Sequence, residues 1–88
     1  MNAAVASEQH THLFDARGVA RRFRHSAIFG AIGVLRNGET MRFVNDHDPI
    51  PLIAQLRDRL GGHLTVTYRQ RDADAVVIDF GIDGLPED

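Results

Sequence analysis

The chain has no cysteine among its 88 residues. Disulfides, thiolate metal sites and cysteine nucleophiles are therefore excluded. A small secreted domain usually needs such staples, so a cytoplasmic setting is expected. Lysine is also absent, and every basic side chain is an arginine; we read that as codon bias, not as a binding signal. No apolar run approaches the roughly 20 residues of a membrane span. Residues 1–12 lack the basic start and apolar stretch of a signal peptide, so no membrane association is expected. There is no Walker loop, no G-x-G-x-x-G fingerprint and no Ser–His–Asp order. The chain therefore shows no recognisable catalytic signature, and a binding role is expected ahead of an enzymatic one.

What is present is ordinary for a globular domain: 43% hydrophobic and 25% charged residues. A chain of this length suits one domain and buries about 60–65% of its unfolded surface, so its core is real but thin. The formal net charge is −2 but uneven. Arg17, Arg21, Arg22 and Arg24 crowd the first third, Asp46 and Asp48 follow in the middle, and acidic residues from Asp72 onward dominate the end.

Periodicity divides the chain into a tail at 1–10 expected to be disordered, a domain at 11–82 and a C-terminal tail at 83–88. Residues 12–15 read as a strand, and Arg17-Gly18 as a turn. A helix is predicted over 21–35, with Ile28, Ala31, Ile32 and Leu35 in one apolar stripe. Gly30 and Gly33 weaken it and are read as close-packing positions. Asn37-Gly38 stops it. Residues 40–45 alternate as a strand, with Met41 and Phe43 on one face. A second helix is predicted to start with Asp48 as N-cap and Pro49 at the first helical position. Ile50, before Pro51, predicts an irregular first turn. Ile53, Leu56 and Leu60 form its stripe, and Gly61-Gly62 ends it. Residues 64–69 and 76–80 alternate with period 2 and read as strands around a hairpin loop at 70–74. The order is βαβαββ. Right-handed crossovers make the first two strands parallel and put both helices on one face. The predicted fold is an α/β (α+β) two-layer sandwich with a four-stranded mixed sheet.

Phe14-Asp15-Ala16-Arg17-Gly18-Val19 resembles the opening Leu-Asp-x-Arg-Gly-Leu of the TusA/SirA-like sulfur-carrier superfamily, and Gly38-Glu39-Thr40 resembles its Pro-Gly-Glu. Arg24-His25 and Asn45-Asp46-His47-Asp48-Pro49-Ile50-Pro51-Leu52 resemble more closely a relative, the domain of unknown function 2249 family. The resemblance covers roughly residues 12–82 and implies the same fold. The sulfur carriers place Cys-Pro-x-Pro at the start of the first helix, where this chain has Arg21-Arg22-Phe23-Arg24. With no thiol there is no persulfide to carry. The closer family implies an accessory domain, linked with hemerythrin-like redox partners and nitrogen-oxide respiration.

In parallel βα units the loops after both strands open at one edge of the sheet. The segment at 17–25 and the loop at 45–48 are therefore expected to meet. The candidate site is Arg24, His25, Asn45, Asp46, His47 and Asp48. In it Arg24 would hold negative charge, His25 and His47 would bond or ligate, and Asp46 would orient a histidine. Both helix N-termini point there and favour anions. One reading makes His25, His47 and Asp46 ligands of a zinc or iron ion; the spacing matches no specific metal signature. The plainer reading is that His47 braces the turn and His25 bonds a nearby carboxylate. Asp48 has a sufficient role as N-cap, whereas Asn45 and Asp46 have no evident structural role. Asp15 with Arg17 reads as a local ion pair. Arg21, Arg22 and Arg24 could hold a phosphate, a carboxylate or RNA, but net negative charge and the lack of an aromatic stripe disfavour nucleic acid, so a solvated helix face is expected. His10, His12 and His63 read as incidental. The expected function is a non-enzymatic accessory or binding domain. Its ligand would be a small anion, a metal ion or a hemerythrin-type redox protein.

Overall fold

A computed structural model describes residues 10–86. Of the tail expected to be disordered at 1–10, residues 1–9 lie outside the described residues. Six main elements follow the expected order: β1 (Thr11–Asp15), α1 (Arg21–Ile32), β2 (Thr40–Asn45), α2 (Ile50–Leu60), β3 (Leu64–Arg71) and β4 (Val76–Ile82). Short 3-10 turns at Ala16–Gly18 and Gly61–His63 join β1 to α1 and α2 to β3. The strand order is β1-β2-β4-β3. β1 and β2 are parallel, while β4 runs antiparallel to both of its neighbours.

Period-2 alternation sorts the sheet into a buried and an open face. In β4, Val76, Ile78, Phe80 and Ile82 are buried while Val77, Asp79 and Gly81 are only half-buried. Phe43 stands between Phe14 and Phe80, with ring centroids 6.0 Å from each. Ile28 and Ile32 of α1 and Leu52, Ile53 and Leu56 of α2 pack into this one core, so both helices cover the same face. The open face carries the Arg42–Asp79 pair, with Arg42 Nε and Nη2 donating to the carboxylate at 2.9 and 3.0 Å. No helix among the described residues is long and apolar enough to cross a membrane.

Several boundaries differ from the sequence reading. α1 stops at Ile32, three residues short of the expected end. There the backbone tightens: the amides of Val34 and Leu35 donate to the carbonyls three residues back, Ala31 and Ile32. That turn drives Leu35 into the core and leaves Val34 79% exposed. Gly30 is not a close-packing position, because a Cβ there would meet nothing within 4 Å. Gly61 ends α2 with φ 53°, a left-handed angle that a side chain resists. His10 is tied down, since its carbonyl accepts from Thr40 N at 2.8 Å. Residues 83–86 are held too: Leu85 N donates to Asn37 Oδ1 at 2.8 Å, and Asp83 N to the His63 carbonyl at 3.0 Å.

The start of α2 departs most. Pro49, not Asp48, is the cap residue, with ψ 61°, and no side chain caps the helix. Little needs capping. Ile50 N donates to the Asp48 carbonyl, Ile53 N donates to the Pro49 carbonyl, and Pro51 has no N–H. The Asp48 carboxylate is thereby released to β3. Tyr68 Oη donates to Asp48 Oδ1 at 2.6 Å, and Arg71 Nη2 lies 2.6 Å from Oδ2.

Candidate functional site

Parallel pairing of β1 with β2 brings the two loops that follow them to one edge of the sheet. The loops meet through Arg24. Its Nη1 donates to Asn45 Oδ1 and to Asp46 Oδ1, both at 3.0 Å, and its Nε donates to the Val19 carbonyl at 2.7 Å. Asn45 is 2% exposed, and its Nδ2 donates to the His47 carbonyl at 3.1 Å. Asp46 Oδ1 also lies 2.8 Å from His47 Nδ1, so that nitrogen carries the proton and donates. Hydrogen bonds from His47 and then Arg24 hold the Asp46 carboxyl down at about 2.

Asn45 and Asp46 thus have the structural role that the sequence did not reveal. They fix Arg24 and the β2–α2 turn against α1. Arg24, expected to hold a ligand's negative charge, is already satisfied by protein groups. The Asp15–Arg17 pair sits beside it, with Oδ2 2.7 Å from Nη2, and closes the first loop. Arg17 hydrogen bonds likewise hold the Asp15 carboxyl at about 2.

In front of this brace lies a cleft of about 260 Å3. Its polar lining is Arg21, Arg24, His25, Asn45 and His47, and its apolar lining is Phe43, Pro49, Pro51 and Leu52. Four of the six candidate residues therefore border one space, while Asp46 stands behind it and Asp48 faces β3. The sequence reading missed the apolar wall, because the Pro-Ile-Pro segment was accounted for as a helix start. It also placed Arg21 on a solvated face. Arg21 is exposed and forms no hydrogen bond or close ion pair with a described residue; it attracts Asp46 only at longer range, so its guanidinium donors remain available to the cleft. Arg22 differs, lying over the Phe23 ring at 4.7 Å. α1 has no side-chain cap and no acidic residue in its first turn. The amides of Arg21 and Arg22 are thus unsatisfied by a cap.

The imidazoles of positions 25 and 47 share the cleft but do not form a ligand set with Asp46. Among the described residues, no group of three His, Cys, Asp or Glu side chains could hold a metal ion. His47 is engaged through Nδ1 with Asp46, and His25 stacks on Phe29 with centroids 4.8 Å apart and planes 15° from parallel. The carboxylate bond expected of His25 is replaced by this stack.

A second cleft, of about 420 Å3, lies at the far end of α1 between His12, Val34, Leu35 and Met41. Glu39 gathers its charged groups, bonding His12 and the Arg36 backbone and attracting the Arg36 side chain at longer range. Glu39 accepts from Arg36 N at 2.5 Å and lies 2.6 Å from His12 Nε2. His12 is therefore not incidental; it helps fix the start of β2.

No curated protein and no solved structure matches the chain. The sequence profile described as an uncharacterized conserved protein, DUF2249, matches residues 13–81. That span takes in the brace, the cleft and both helices, and the chain belongs to the DUF2249 family.

Proposed function

We propose that this chain is a binding domain that takes a small anion in the cleft between the first turn of α1 and the Asn45–Leu52 segment. The observation that carries the reading is the difference between the two arginines lining that cleft. Arg24 is hydrogen-bonded to Val19, Asn45 and Asp46, whereas Arg21 forms no hydrogen bond or close ion pair with a described residue and meets Asp46 only through longer-range charge attraction. An uncommitted guanidinium beside open helix amides attracts carboxylate or phosphate oxygens. His25 and His47 add hydrogen-bonding groups to the same lining. Phe43, Pro49, Pro51 and Leu52 give the ligand's remainder an apolar surface. The Arg24–Asn45–Asp46 brace sets the geometry of the cleft before any ligand arrives, which lowers the cost of ordering it on binding.

Amide shifts of 15N-labelled protein, titrated with sodium acetate and with inorganic phosphate at fixed ionic strength, test this. Saturable shifts are expected at residues 21–25 and 45–52 with at least one of the two anions, and Arg21→Ala should abolish them. Linear, non-saturating shifts with both anions into the millimolar range would overturn the reading.

A further inference from the structure

Building on that anion site, we propose that its ligand is planar: a one-ring aromatic or heteroaromatic monocarboxylate, its ring on His25 and its carboxylate on Arg21. The case starts from a stack that crosses the helical layer. The Arg59 guanidinium of α2 lies 5.1 Å from the Phe29 ring centroid, and His25 lies parallel to the same ring on α1. Phe29 is packed against the core, so it is a fixed backing for the imidazole. With Phe29 against one face, the imidazole has its other face left for the cleft that it lines.

The rest of the lining suits a flat ring. The pyrrolidine rings of Pro49 and Pro51 come from the segment opposite α1, and the buried Phe43 ring belongs to the sheet beneath. Rigid rings lose little conformational freedom on binding and favour a ligand that loses little itself. Size and charge narrow the class. Drug-sized ligands occupy clefts of about 300–1,000 Å3. This one, at about 260 Å3, suits a single ring. One uncommitted guanidinium answers one carboxylate. His47, with Nδ1 on Asp46, keeps Nε2 for a hydroxyl or ring nitrogen on the ligand.

Affinities for sodium acetate, sodium benzoate and benzamide, read from amide shifts at one pH and ionic strength, test the proposal. Burial of the ring and its stacking should make benzoate bind at least about tenfold tighter than acetate. Benzamide, with the ring but no charge, should bind more weakly than benzoate. His25→Ala, at an exposed position, should weaken benzoate far more than acetate and so bring the two affinities close together. Equal affinity for acetate and benzoate would overturn the planar ligand and leave the anion site standing. Benzamide binding as tightly as benzoate would overturn the carboxylate requirement. Saturation with none of the three would remove this proposal, and the anion site as well if phosphate also fails.

Discussion

Removing the Asn45 amide should loosen the whole sheet edge at which the two loops meet. Asn45 is a buried polar residue, 2% exposed, in the hydrophobic end of β2. Asn45→Ala deletes two hydrogen bonds: the one it accepts from the Arg24 guanidinium and the one it donates to the His47 carbonyl. A hydrogen bond involving a charged group contributes about 1.5–3 kcal/mol, and a neutral one about 0.5–1.5. Arg24 keeps Asp46 and Val19, so the first loss falls toward the low end of its range. The His47 carbonyl loses its Asn45 donor, and the missing amide leaves a small void. The net expectation is a loss of about 2–4 kcal/mol, which lowers the melting temperature by about 10–25 °C in a domain of this size. Urea denaturation followed by far-ultraviolet circular dichroism measures it directly. The same variant should also weaken anion binding, since the turn carrying His47 is released. A stability change below about 0.5 kcal/mol, the range of a neutral surface substitution, would refute the role of the brace.

Other consequences are separable. Gly30→Ala should raise stability by up to about 1 kcal/mol, because the site is an exposed helix interior with open space around the new methyl. Tyr68→Phe should cost about 1–2 kcal/mol through loss of the bond to Asp48. Tyr68 is also the sole tyrosine, so an ultraviolet titration reads its phenol alone; burial and then the Asp48 bond push its midpoint above 10. The Asp15 and Asp46 carboxyls are depressed from 3.8 to about 2, so the stability they contribute is fully present above about pH 4 and is lost as pH falls through about 2. A carboxyl 13C titration should show both low midpoints, and Arg24→Gln should raise that of Asp46.

The sequence carried the fold well, because its period changes are strong. The 3.6 period of Ile28 and Ile32 and the alternation of Val76, Ile78 and Phe80 each survive in the structure as a buried face. The position of β4 between β2 and β3 was not legible, since hairpin chemistry says only that β3 and β4 pair. Helix ends were the weakest part. Asp48 had two possible uses, and local rules favoured the cap. Tyr68 and Arg71, about twenty residues away, engage it instead, and the proline-rich first turn leaves few amides to cap. At the site, topology brought the right loops together but could not sort brace from lining. One signal was available for Asn45: it continues the inward period of Met41 and Phe43, so burial followed from the strand pattern. Arg21 had no such signal, because only its neighbours' pairing shows that its guanidinium donors are uncommitted in the cleft. In the His25–Phe29–Arg59 stack, the i, i+4 spacing of His25 and Phe29 was a readable signal, whereas the approach of Arg59 from the other helix left none.

The position of a bound aromatic acid tests the account most directly. In a filtered nuclear Overhauser spectrum of 13C-labelled protein with unlabelled benzoate, ring protons should show contacts to His25, Phe43 and Pro51. Contacts instead to Val34 and Met41 of the far cleft, or to the open face of the sheet, would contradict it.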